Sequence, residues 1–311
     1  MFKLYQKTAK KAKLLLGLCS LFFLGGCNDS YRNNACQVDG DKALQFVEIQ
    51  CGFGARYSGT AALKKTSDWL KQTAQELGYK VEVDVWQEKT ILGNTTFRNL
   101  KAVLPGGKPG RIIVGTHYDL KYFKTIPRGF TGANDSASST AVVLELMRVL
   151  KPVSHELSTI EFYFFDGEEC FESYSETDGL FGSKRAAGKI LQNGTVDEYK
   201  AMVLLDMIGD KDLQFTWSMD TNQKLVDYLM KAASCFDAGH QVKMHDGLIL
   251  DDHIPFQNIG IPAIDLIDFD YGHENEHWHT GGDHIENVSA DSMELAGNIA
   301  ALIIGAVSLD D

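Results

Sequence analysis

Four short, almost unbroken apolar runs recur along this chain, at 111–116 (RIIVGT), 158–165 (STIEFYFF), 201–205 (AMVLL) and 263–267 (AIDLI). Strands that are apolar at nearly every position belong to a sheet covered on both faces. Segments with helical periodicity lie between them, at 138–150, 180–191 and 224–235, and 289–307 reads as a long apolar helix. Upstream, Leu63, Trp69, Leu70 and Leu77 fall near one face of a helix expected over 59–77. The stretch 81–104 is β-rich and turns at 92–94. Strands alternating with helices specify an α/β fold, a three-layer α/β/α sandwich about a mixed, mostly parallel sheet. No repeat, low-complexity tract or linker divides residues 41–311, so one domain is expected there.

The first 26 residues do not share this pattern. Lys3, Lys7, Lys10, Lys11 and Lys13, with no acid among them, precede the apolar run 14–26 (LLLGLCSLFFLGG). A basic head and a short apolar segment read as an export signal. The run is well short of the ~20 residues a bilayer-spanning helix needs. Leu24-Gly25-Gly26-Cys27 resembles a bacterial lipobox, which implies cleavage before Cys27 and lipid attachment to it; the alternative is an ordinary signal peptide with an incidental Cys. Asn28 after that Cys favours the outer membrane. The expectation is an exported bacterial lipoprotein on the periplasmic face of the outer membrane, touching the membrane only through its lipid. Residues 27–40 read as a polar tether.

Cleavage leaves 285 of the 311 residues and, with five lysines gone, takes the formal charge from −12 to −17. A surface that acidic repels phosphate backbones and excludes nucleic acid as a partner. In an oxidising compartment Cys36 and Cys51 are the expected disulfide, with Cys170 and Cys235 as buried thiols.

Each apolar strand runs into a polar cluster. Residues 111–116 lead to His117-Tyr118-Asp119, 158–165 to Asp166-Gly167-Glu168-Glu169, and 201–205 to Asp206. Ligands of open α/β sheets bind at the carboxyl ends of the strands. Several strands delivering His, Asp and Glu to one edge form a metal-site pattern. Asp251-Asp252-His253 and Trp278-His279-Thr280 add two clusters, and the loop 132–136 adds Asp135. Singly, each has an ordinary explanation: a surface His, a solvated Glu pair, or an Asp capping the helix at 138–150. Together they favour a metal centre.

The motifs HYD, GANDSAS, DGEE, LLDMIG, DDHIPF and WHT stand in the order found in the zinc-dependent M28 exopeptidase superfamily, which the chain resembles over roughly residues 41–308. That resemblance implies a zinc exopeptidase-like fold and offers two activities, dizinc aminopeptidase and glutaminyl cyclase. The cyclase branch is the closer likeness. Nine residues, CFESYSETD, separate Glu169 from Gly179; Asp251 opens Asp-Asp-His-Ile-Pro-Phe; Trp278 precedes His279; His117–Phe123 has the cyclase form HYDxKYF; and Arg56-Tyr57-Ser58-Gly59 is similar to the cyclase Arg-Tyr-Pro-Gly.

The resemblance implies that Asp135, Glu169 and His279 bind one zinc and leave a position open for substrate. It implies that Glu168 shuttles the proton, in a network with Asp206 and Asp251. It implies that Trp278 and Tyr174 line the substrate pocket, Tyr174 standing where many cyclases carry Trp. His117 and Asp206 match the extra ligands of the dizinc peptidases, with Asp119 orienting His117, so a peptidase-like chain would hold two zinc ions. The implied partners are peptides and proteins with N-terminal Gln, acted on by a monomer. A metal-free binding module is the third alternative, and the intact set of ligand types speaks against it.

Overall fold

The structure is a computed structural model that describes residues 37–310. The expected signal 1–26, the lipidation site Cys27, Cys36 and the tether up to residue 36 lie outside the described residues.

Among the described residues, eight strands form one sheet in the order β1-β2-β4-β3-β5-β8-β6-β7. They are β1 (Val81–Thr90), β2 (Gly93–Leu104), β3 (Lys108–His117), β4 (Ser158–Phe165), β5 (Tyr199–Asp206), β6 (Phe215–Trp217), β7 (Val242–Met244) and β8 (Ala263–Ile267). The centre, β4-β3-β5-β8, is parallel. β2 adds antiparallel to β4 and carries the β1 hairpin, while β6 crosses β8 antiparallel at the other side. The helices are α1 (Gly40–Cys51), α2 (Ala61–Glu76), α3 (Ser139–Leu150), α4 (Phe181–Gln192), α5 (Gln223–Ser234), α6 (Ile254–Asn258) and α7 (Ala290–Leu309).

The continuous apolarity of the central strands is explained by the two layers that cover them. Ile112 and Val114 of β3, Phe162 and Phe164 of β4 and Val203 and Leu205 of β5 join the large core built with α1, α2, α3, α5 and α7. Their neighbours Ile113, Phe165, Met202 and Leu204 point the other way, onto Ala186, Ala187 and Ile190 of α4 and Phe256 of α6. Side chains alternate across a strand, so both faces must be apolar where both are covered. The result is the expected three-layer sandwich. α7 is long and apolar enough to cross a membrane, but it lies inside this core, with 83% of its most apolar window buried.

Three expectations are corrected: the end of the tether, the Cys36–Cys51 pairing, and Cys235 as a buried thiol. The tether does not extend to residue 40: Val38 is fully buried, its amide donates to Asn298 Oδ1 on α7 at 3.1 Å, and Asp39 caps α1 by accepting from the Lys42 amide at 2.9 Å. The Cys36–Cys51 pairing also fails. Among the described residues Cys51 and Cys170 are free thiols and Cys235 is disulfide-bonded. Cys51 sits at the end of α1 beside Arg56 and Thr131; burial pushes its thiol up, against the opposing pull of the Arg56 guanidinium. It therefore stays a protonated packing residue.

Candidate metal centre

The loop between β3 and α3 delivers Asp135. Gly132 turns it with φ +60°, where an added Cβ would lie 1.9 Å from Leu120 Cδ2, so only glycine fits. Arg56, fully buried, donates to the Thr131 carbonyl at 2.8 Å and the Gly132 carbonyl at 2.6 Å. The carboxylate of Asp283 accepts from the Asn134 amide at 2.8 Å and the Asp135 amide at 3.4 Å. The peptide bond after Asp135 is cis. The anchors that Arg56 and Asp283 place on the backbone of residues 131–135 fix where this carboxylate points.

Asp135 faces two histidines with its two oxygens. Oδ2 lies 3.2 Å from His279 Nε2 and Oδ1 lies 3.1 Å from His117 Nε2. Glu169, on the turn after β4, places Oε1 2.7 Å from the same His279 nitrogen. Asp206, the last residue of β5, places Oδ1 3.2 Å from His117 Nε2. Two three-donor groups result, Asp135–Glu169–His279 and His117–Asp135–Asp206, sharing Asp135. Asp119 stands behind both: its carboxylate is 3.4 Å from His117 Nδ1 and accepts from the amides of Glu168 at 3.2 Å and Glu169 at 3.3 Å.

The first group suits zinc. One imidazole and two carboxylates are zinc donors, and their 2.7–3.2 Å spacing approaches the roughly 3.3 Å between donors on a tetrahedral zinc with bonds of about 2.0–2.1 Å. Glu169 Oε2 is buried with no hydrogen bond, only the Lys121 ammonium at 3.4 Å. The field also asks for a cation: burial lowers the His279 pKa, yet Glu169 and Asp135 outweigh it and hold the ring up at about 10. His279 adopts φ +54°, a conformation a non-glycine residue holds only when its surroundings impose it.

Glu168 lies beside this centre, is 5% exposed, and accepts from the Tyr174 hydroxyl. Burial pushes its carboxyl well above the ordinary range; His117 opposes this, and Glu169, Asp252 and Asp206 reinforce it. Trp278 stacks on the His279 ring, with centroids 4.2 Å apart, and joins Phe269, Met207, Ile249 and Ile267 in an apolar wall. Of the other nearby histidines, His277 packs on Tyr271 and His284 caps its own turn, so neither reaches the donors.

The Asp251-Asp252-His253 cluster expected from the sequence lies in this region, and Asp265 joins it as the member the sequence did not single out. Asp251, Asp252, His253 and Asp265 are all buried, and the structure assembles Asp251, His253 and Asp265 into one cluster. Asp265 sits in the middle of β8, and a carboxylate inside an otherwise apolar buried strand was the signal available for it. Burial and the neighbouring acids Asp206 and Asp252 push Asp265 well up, while burial lowers His253 to about 4. His253 is therefore neutral at pH 7. A histidine depressed from 6.5 to about 4 contributes stability that is complete above pH 6.5 and lost as pH falls towards 4. Its limit is about 3 kcal/mol. Denaturant midpoints at pH 7 and 4.5 should therefore differ less in His253→Phe than in wild type; identical pH dependence in the two would refute this account.

Residues 99–304 match Peptidase family M28. A glutaminyl-peptide cyclotransferase of Gloydius blomhoffii is 30% identical over 285 residues, spanning 80% of this chain and 76% of the relative. One from Drosophila melanogaster is 29% identical over 275 residues, spanning 79% and 76%. Among solved structures, a glutaminyl cyclase of an Acidobacteriales bacterium superposes with a TM-score of 0.81 at 31% identity, covering 88% of this chain and 95% of the other. A Zn-dependent exopeptidase from Parabacteroides distasonis superposes with a TM-score of 0.74 at 25% identity, covering 86% and 98%.

Proposed function

This chain belongs to peptidase family M28 and, within it, to the glutaminyl-peptide cyclotransferases; on that premise we propose that it closes the N-terminal Gln of peptides and proteins to pyroglutamate. The α-amine nitrogen bonds to the γ-carboxamide carbon, the bond from that carbon to the amide nitrogen breaks, and ammonia leaves. The observation that carries the reading is a three-donor centre with a separate carboxylate, Glu168, beside it and outside the donor set.

Asp135, Glu169 and His279 would hold one zinc, which when bound polarises the γ-carbonyl as a Lewis acid. The nucleophile is already tethered to its target, so what remains for the protein is orientation and proton transfer. Glu168 takes a proton from the attacking amine and returns it to the departing ammonia. Its proton affinity, raised by burial and by the acids Glu169, Asp252 and Asp206 around it, suits a group that must take a proton from an amine. Asp206 and Asp251 stand in the same buried acidic network, and burial raises the proton affinity of both, so a proton entering the cluster is held among these carboxyls and Glu168. The Trp278–Phe269 wall excludes water, the nucleophile that would divert the reaction to hydrolysis. Asp119 orients His117 and the Glu168–Glu169 turn.

One observation favours a dizinc aminopeptidase as the second reading: His117, Asp135 and Asp206 form a second three-donor group. Mass spectrometry of Gln-initiated peptides separates the two. Loss of one ammonia with every residue retained supports cyclisation. Release of the first residue, with two zinc ions per chain, replaces it with peptidase activity.

The chain is further proposed to act as a monomeric lipoprotein, held by Cys27 to the periplasmic face of the outer membrane. The basic head and the Leu24-Gly25-Gly26-Cys27 sequence support this. Cys27→Ser should move the protein from the membrane fraction to the soluble or unprocessed fraction; an unchanged distribution rejects the anchor.

A further inference from the structure

We propose that Tyr174 is a positioning residue for Glu168: its hydroxyl fixes the orientation of that carboxylate, beyond providing an aromatic pocket wall. The inference rests on the cyclase reading and deepens it. The Tyr174 hydroxyl lies 3.0 Å from Glu168 Oε1 and 3.2 Å from Oε2, so its single proton is shared between the two oxygens. No other hydrogen bond from a described side chain reaches that carboxylate. A carboxylate that must receive a proton from one nitrogen and pass it to another needs a defined direction, and a single shared donor supplies one while leaving the remaining lone pairs open to substrate.

The segment carrying Tyr174 is built to hold this contact. The Asp178 carboxylate accepts from the amides of Phe171 at 2.8 Å, Glu172 at 2.9 Å and Ser173 at 3.2 Å, folding 171–178 back on itself. Lys184, on α4, reaches up to donate to the carbonyls of Ser175 at 2.7 Å, Glu176 at 3.2 Å and Gly179 at 2.9 Å. The neck closes with the Leu180 amide on the Glu168 carbonyl at 2.9 Å. The ring itself lies on Gly179, where φ is +85° and an added Cβ would meet Tyr174 Cδ1 at 2.5 Å. On the site side, the Lys121 ammonium stands 5.6 Å from the ring centroid. The nine-residue insertion thus ties one end of its chain to the Glu168 backbone and brings a hydroxyl back to the Glu168 side chain.

A phenylalanine here would supply the wall without this bond, so the two roles separate in Tyr174→Phe. The variant should lose about tenfold in kcat, equivalent to about 1.4 kcal/mol, with KM within twofold, zinc content unchanged and the melting temperature unchanged. A kcat within twofold of wild type overturns the assignment. So does a fall in kcat accompanied by lost zinc, a lowered melting temperature or a KM raised to the same extent, because each marks packing or substrate binding instead. Wild-type protein that forms no pyroglutamate overturns the cyclase reading and this assignment with it. Active wild type with an equally active Phe variant overturns the assignment alone.

Discussion

Glu168→Gln should keep the zinc content of the wild type and lose about 10²–10⁴-fold in kcat, the range expected for removing a general acid–base group. The substitution keeps the shape and an oxygen able to accept from Tyr174, and it leaves the donors Asp135, Glu169 and His279 untouched. The anchoring of the turn is also preserved, because Asp119 holds residues 168 and 169 by their backbone amides. What disappears is the ability to take a proton from the substrate amine. Ammonia release under saturating Gln-peptide, measured beside the zinc content of the same sample, checks this. Loss of zinc would place Glu168 among the ligands and contradict the role given to it.

His279→Ala removes the one nitrogen donor of the proposed zinc centre and the only group bridging Asp135 and Glu169 there. Zinc affinity should fall more than about 100-fold, exceeding the 10–100-fold typical of changes just outside a metal's ligands, and cyclisation should fall below detection. His117→Ala is the informative companion. With one zinc at the His279 centre, that variant keeps its metal and much of its activity. A wild type with two zinc ions, falling to one in His117→Ala, would instead favour the dizinc reading.

The parts of this molecule that were legible in advance are those where a local pattern and its tertiary role coincide. Strands 158–165 and 263–267 are bounded in the structure as the apolar runs are bounded in the chain. α1 left no comparable trace, because the residues it buries are Gly40, Ala43, Val47 and Gln50, a small and partly polar stripe. β6 and β7, three residues each, are too short to show a period. At the site, Asp135, Glu168, Glu169, Asp206 and His279 were visible because strand ends and turns expose side-chain chemistry. Arg56 and Asp283 act on the backbone of the Asp135 loop, through contacts no spacing rule encodes. The same holds for Tyr174: its aromatic character could be read, but the direction of its hydroxyl depends on Asp178 and Lys184 folding the insertion back. Cys235 shows the limit for covalent links, since an ordinary amphipathic helix end carries no mark of a disulfide.

The apolar C-terminal helix α7 has a consequence for how this chain is made. It lies against α1, α3 and α5 and accepts the Val38 amide on Asn298, so the earliest described segment and the latest helix meet in one core. A ribosome delivers α1 first and α7 last of all the described elements. Until those final turns emerge, one face of the sheet has an open seam of Ile, Leu and Val side chains, the kind of exposed apolar surface that holdase chaperones bind and that drives aggregation. The nascent chain is thereby kept from closing its core early.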